Sequence, residues 1–142
     1  MAQRRVRIGF VGVGTMGQAA HLANYATLPD CEVVAIAEPR EKTARMVAAR
    51  YGIGKVYASH ADMLEKEELD GVVASQPFDR HAVLLPDIYG KVRYLFTEKP
   101  LAASVSAGER LVGLAEKTGT THMVGYHKRS DPATEYARGL ID

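Results

Sequence analysis

Val6-Arg7-Ile8-Gly9-Phe10-Val11 runs directly into Gly12-Val13-Gly14-Thr15-Met16-Gly17, and the junction decides how the chain folds. The first six residues are short and mostly apolar, without strict alternation, which is the pattern of a strand buried on both faces. The next six fit G-x-G-x-x-G. A helix follows over 16–23, with Met16, Ala19, Ala20 and Ala23 at helical spacing. In that setting the three glycines have separate uses. Gly12 permits a tight turn, Gly14 lets a phosphate approach the backbone, and Gly17 lets the helix pack closely on the strand. Amides at the helix start, Thr15 and Met16 among them, face the phosphate together with the positive end of the helix dipole.

The same alternation repeats down the chain. Short apolar runs at 32–37, 71–75, 92–97 and 122–126 read as further buried strands, and 55–57 as a short one. Between them, Ala44, Val47, Ala48 and Tyr51 share a helical face, as do Gly108, Leu111, Leu114 and Ala115. A helix is expected at 61–66, and Ser104 or Ser106 is expected to cap the helix near Leu111, with Glu109 completing a capping box on Ser106. Over 81–90 the pattern predicts a helix that starts late or kinks, because Pro86 removes an internal hydrogen bond. Strand–helix alternation implies right-handed crossovers and an α/β, doubly wound parallel sheet in a single domain. That domain occupies 1–126. Residues 127–142 then read as a hinge, a turn at Ser130-Asp131-Pro132 and a helix over 134–142.

Bulk properties narrow the function classes. The 142 residues carry 18 Lys and Arg against 17 Asp and Glu, a net charge of +1 that offers no electrostatic reason for a nucleic-acid or acidic-membrane partner. Arg4, Arg5 and Arg7 precede an apolar stretch, but Gly9, Gly12 and Gly14 interrupt it as an export signal. The single cysteine, Cys31, cannot form an internal disulfide, so a cytoplasmic setting is expected. His21, His60 and His122 lack metal-ligand spacing and are expected to be packing or helix-surface residues, with no metal bound.

Glu38 lies 21 residues beyond Gly17, at the end of the second run, where a carboxylate can accept hydrogen bonds from an adenosine 2′-hydroxyl. A 2′-phosphate there would meet like charge, so NAD is expected over NADP. Arg40 pulls the other way, since it can reach a 2′-phosphate or stack on adenine. Glu98-Lys99-Pro100 follows the fifth run, at the strand end where open α/β sheets place ligands. A lysine beside a nicotinamide ring can take the hydroxyl proton as hydride leaves the carbon.

With these motifs in this order, the chain resembles the glucose–fructose oxidoreductase, inositol dehydrogenase and MocA-like family from about Val6 onward. The resemblance rests on the glycine loop, Glu38, the segment from Pro77 to His81, Glu98-Lys99-Pro100, and Gly125-Tyr126 with Arg129. It implies a dehydrogenase acting on a sugar, polyol or related small molecule, with Lys99 catalytic. It places Ser75, Gln76 and Pro77 on the nicotinamide-ribose side, His81 and Glu98 beside them, and His127 as a further contact. Gln76 and Phe78 stand where the family more often has Thr and Asn, and His127-Lys128-Arg129 replaces a commoner Asn-containing stretch. The family's second, α+β domain, with the substrate pocket and the subunit interface, lies outside these residues. They are expected to bind cofactor with little turnover, and to form a homo-oligomer only where that domain is present. Two other readings are a non-catalytic NAD(H)-binding regulator and a different Rossmann reductase; Lys99 favours the dehydrogenase.

Overall fold

A computed structural model describes residues 4–141. Six parallel strands form one sheet in the order β3-β2-β1-β4-β5-β6, which is the doubly wound order expected. They are β1 (Val6–Val11), β2 (Cys31–Ala37), β3 (Lys55–Tyr57), β4 (Gly71–Ala74), β5 (Tyr94–Glu98) and β6 (Thr121–Gly125). A π-helical stretch over Gly17–Leu22 leads into α1 (Ala23–Tyr25); the other helices are α2 (Glu41–Tyr51), α3 (His60–Lys66), α4 (His81–Ile88), α5 (Val105–Thr118) and α6 (Pro132–Gly139).

Successive side chains leave a strand on opposite faces, so two cores form. One contains Val72 and Ala74 with Met63 of α3, Leu85 and Ile88 of α4, and Leu111 of α5. The other contains Ile8, Phe10 and Val73 with Leu22 and with Ala44, Val47 and Ala48 of α2. β6 is an edge strand without a buried residue, and Met123 on it is largely exposed. The sequence reads 122–126 as a buried strand; an edge strand has only one neighbour to cover it.

Three local expectations are corrected. The helix after the glycine loop is π-helical, not α-helical, over Gly17–Leu22. Its buried residues are Gly17 and Leu22, five apart, while Met16 is exposed; i→i+5 winding turns a different face inward from the one α-helical spacing selects. Ser104, not Ser106, caps α5, accepting from the Ala107 amide, so the Ser106–Glu109 box is not formed. α4 starts at His81 with Pro86 inside it, so the late start, one of the two expected arrangements, does not occur. The Ala82 carbonyl that Pro86 leaves without a helical donor accepts instead from Arg110 Nη2 at 2.9 Å. α6 begins at Pro132, two residues before the helix read from sequence, with Asp131 accepting from the amides of Ala133 and Thr134, and it ends at Gly139. The last residue of the helix read from sequence, Asp142, lies outside the described residues. Among the described residues no helix is long and apolar enough to cross a membrane.

Candidate cofactor cleft

Strand register builds the site. Val11 pairs with Ala37 and with Ala74, and Ala74 pairs with Thr97, so β1, β2 and β4 end level and β5 runs one residue further. The next residue along each is Gly12, Glu38, Ser75 and Glu98. All four line one cleft of about 740 Å³ at the carboxyl edge of the sheet. Gly14, Thr15, Met16, Gly17, Arg40, Gln76, Pro77 and Lys99 line it too. Twelve of the fourteen residues singled out as site residues therefore meet in one place. Pro39 also lines the cleft and was not singled out, although it sits between two residues that were.

The glycine loop has the shape a phosphate needs. Gly12 adopts φ +84°, and a Cβ there would run into the Gln76 amide and meet the Ser75 carbonyl at 3.0 Å. A Cβ on Gly17 would press the Gly12 carbonyl at 2.7 Å. At Gly14 the nearest atom is Arg40 Nη2 at 3.8 Å, so its missing side chain leaves open space facing the cleft. The Gly12 amide is bound by Ala37 and the Val13 amide by Glu38. Among the described residues, the amides of Gly14, Thr15 and Met16 have no protein acceptor. Orphan donors at a helix start beside an open glycine fit an anionic pyrophosphate.

Glu38 is 3% exposed. Its Oε2 accepts from the Val13 amide at 3.2 Å and Arg40 Nη2 at 2.9 Å; its Oε1 accepts from Arg40 Nε at 2.7 Å and the Arg40 amide at 3.1 Å. The Arg40 hydrogen bonds hold this carboxyl below its ordinary range, against the opposing effect of burial. The acid is thus ionised and already paired, and Arg40 shares this end of the cleft with it.

At the other end, Glu98 is the last residue of β5, not the first after it. Its Oε1 lies 2.7 Å from His21 Nε2, and its Oε2 accepts from the Lys99 amide at 3.2 Å. The His21 ring packs edge-on against Phe96, with centroids 5.0 Å apart. His21 was expected to be a packing or surface residue. Instead the π-helical turn brings it onto a cleft carboxylate, a contact α-helical spacing gives no signal for. The Lys99–Pro100 peptide is cis.

Two expected contacts lie elsewhere. His81 is fully buried and its Nδ1 pairs with the Leu101 carbonyl at 2.9 Å; it does not line the cleft. His127 lines an adjacent cavity of about 610 Å³ with Lys99, Tyr126, Lys128, Arg129 and Thr134. Lys99 borders both.

The model of the oxidoreductase family with an NAD-binding Rossmann fold, GFO/IDH/MocA, matches residues 6–126. The chain belongs to this family. It is 31% identical over 137 residues to rhizopine catabolism protein MocA of Rhizobium meliloti, covering 96% of this chain and 42% of that one. It is 28% identical over 141 residues to scyllo-inositol 2-dehydrogenase (NAD(+)) of Bacillus subtilis, covering 99% and 41%. A crystal structure of scyllo-inositol dehydrogenase from Lactobacillus casei with NAD(H) and scyllo-inositol superposes with a TM-score of 0.88. It is 23% identical and shares the fold over 98% of this chain and 41% of that one. The chain thus spans about two fifths of the length of these relatives.

Proposed function

We propose that the protein containing this chain is an NAD-dependent dehydrogenase of polyols or sugars, with the cofactor's adenosine ribose at Glu38 and its nicotinamide near Lys99. The observation that carries this reading is the row of Gly12, Glu38, Ser75 and Glu98 along the strand ends. One cleft joins an ionised acid, a phosphate seat and a lysine, in the order in which a dinucleotide presents ribose, pyrophosphate and nicotinamide. Its relatives include an NAD(+)-dependent dehydrogenase of scyllo-inositol.

Bound NAD supplies a hydride acceptor. The chain's residues do the rest: the loop amides hold the pyrophosphate, Glu38 accepts from ribose hydroxyls once Arg40 turns aside, and Lys99 takes the proton of the substrate hydroxyl. Glu98, tied to His21 and to the Lys99 amide, fixes the backbone from which Lys99 projects.

The test uses the protein as its gene encodes it. Lys99→Met is expected to lower polyol oxidation by about a thousandfold while leaving NADH affinity nearly unchanged. Unchanged turnover would overturn the role of Lys99. NADH is expected to bind at least about tenfold more tightly than NADPH, because a 2′-phosphate would lie against the Glu38 carboxylate. The reverse order would overturn the assignment of Glu38.

A further inference from the structure

His21 does not line the cofactor cleft, yet it grips the cleft's wall. Phe96 and Glu98 are two residues apart on β5, so their side chains leave the strand on the same face. The His21 ring meets both. It packs edge-on against Phe96, and its Nε2 donates to Glu98 Oε1 at 2.7 Å. Only 14% of the His21 side chain and 24% of the Glu98 side chain are exposed, and a shielded hydrogen bond to a carboxylate is among the stronger ones. The other carboxylate oxygen accepts from the Lys99 amide. Glu98 is therefore a bridge, with His21 on one oxygen and the backbone of Lys99 on the other.

His21 is also tied to the glycine loop. It lies in the π-helical stretch that opens at Gly17, and such turns recur at functional sites. Gln18 fastens this stretch to the loop twice. Its amide donates to the Gly14 carbonyl at 2.9 Å, and its side chain donates to the Val13 carbonyl at 2.7 Å. The orphan amides at 14–16 and the His21 ring thus sit on one hydrogen-bonded unit. Beyond Lys99 the chain is anchored from the opposite layer of the sheet, where the buried His81 donates from Nδ1 to the Leu101 carbonyl at 2.9 Å. Segment 98–101 is held at both ends, and its first end leads back to the phosphate seat.

We propose that His21 is a positioning residue for Lys99, and that it carries occupancy of the phosphate seat to the lysine through Glu98. An anion on the amides at 14–16 steadies the loop, Gln18 steadies the turn on the loop, and His21 steadies Glu98 and the Lys99 amide. The proposal rests on the dehydrogenase reading above, which puts the pyrophosphate at 14–16 and gives Lys99 the substrate's proton.

ADP is the probe, since in that reading it fills the ribose and phosphate positions and ends short of Lys99. Hydrogen exchange with mass spectrometry reads the amides of 12–18 and of 97–101 in the protein as its gene encodes it, with and without saturating ADP. In the wild type ADP is expected to slow exchange in both segments, by at least about threefold in 97–101. His21→Phe keeps a ring against Phe96 and loses the donor. It is expected to bind ADP within about threefold of wild type and to slow at 12–18 but not at 97–101. Glu98→Ala removes the bridge from its other side and is expected to lose the 97–101 response in the same way. His21→Gln restores an N–H donor and is expected to recover part of it. A merely structural role would lower the melting temperature of these variants and leave their response to ADP intact. A 97–101 response that persists in His21→Phe or Glu98→Ala, or a His21→Gln no better than His21→Phe, would overturn the proposal. Slowing at 12–18 without slowing at 97–101 in the wild type would overturn it too, and leave the cofactor reading standing. No slowing at 12–18 in the wild type would remove the phosphate seat, and the role of His21 with it.

Discussion

Gly12 and Gly14 stand two residues apart in one loop, yet an added methyl group would meet opposite surroundings. At Gly12 it would force a left-handed backbone angle on alanine and collide with the Gln76 side chain. At Gly14 it would touch nothing closer than 3.8 Å and would project toward the cleft. The two substitutions therefore separate folding from binding. Gly12→Ala is expected to cost about 1–3 kcal/mol of stability. Gly14→Ala is expected to leave stability within about 0.5 kcal/mol of wild type and to weaken NADH by at least about tenfold. Chemical denaturation and NADH titration of both variants check this; equal destabilisation by the two would contradict it. The uses of these glycines could be read from sequence because each follows from the position of one residue in a strand–turn–helix. The sequence reading missed Arg40 as the hydrogen-bond partner of Glu38, because a salt bridge two residues apart depends on rotamers.

Elements were legible wherever burial and period agreed. β1, β2 and α2 fall close to where their apolar patterns place them, because the two strands are buried on both faces and α2 on one. The π-helical stretch was not legible, since the spacing of Met16, Ala19, Ala20 and Ala23 reads as α-helical. Nor was the role of His122, which lies on the edge strand β6 with Nδ1 2.8 Å from the Tyr89 hydroxyl and Nε2 2.9 Å from Thr97 Oγ1. Burial first, and then the neighbouring His81, push its pKa down from 6.5 to about 4. Between those values the unfolded chain holds a proton that the folded chain does not, so stability is full above pH 6.5 and falls as pH drops toward 4. The ring is partly open to solvent, so the loss is up to about 3 kcal/mol before screening and smaller after it. Replacing it in His122→Gln removes the titration but keeps a polar side chain. Denaturation of both proteins at pH 7 and pH 5 is expected to show a steeper loss for the wild type, and parallel losses would refute the assignment.

At the scale of the molecule, the ends of β1, β2, β4 and β5 decide what a ligand can do. Each of these strands is the centre of packing for helices on one face or the other, α1 and α2 on one side and α3, α4 and α5 on the other. A dinucleotide touching Gly12, Glu38, Ser75 and Glu98 would hold both layers together at once. The order of strands was foreseeable from the alternation of runs and helices, whereas the alignment of their ends depends on register, which no single run reveals. Because the cleft exists only in the folded chain, NADH at about a hundred times its dissociation constant should add about 2.7 kcal/mol. For a domain of this size that raises the melting temperature by roughly 5–11 °C. Gly14→Ala at the same NADH concentration is expected to lose most of that rise while melting like wild type without ligand. Scanning calorimetry of both proteins, with and without NADH, decides the matter. A wild-type transition that NADH leaves in place, or a rise that Gly14→Ala retains in full, would mean that the nucleotide is not held at the carboxyl edge of this sheet.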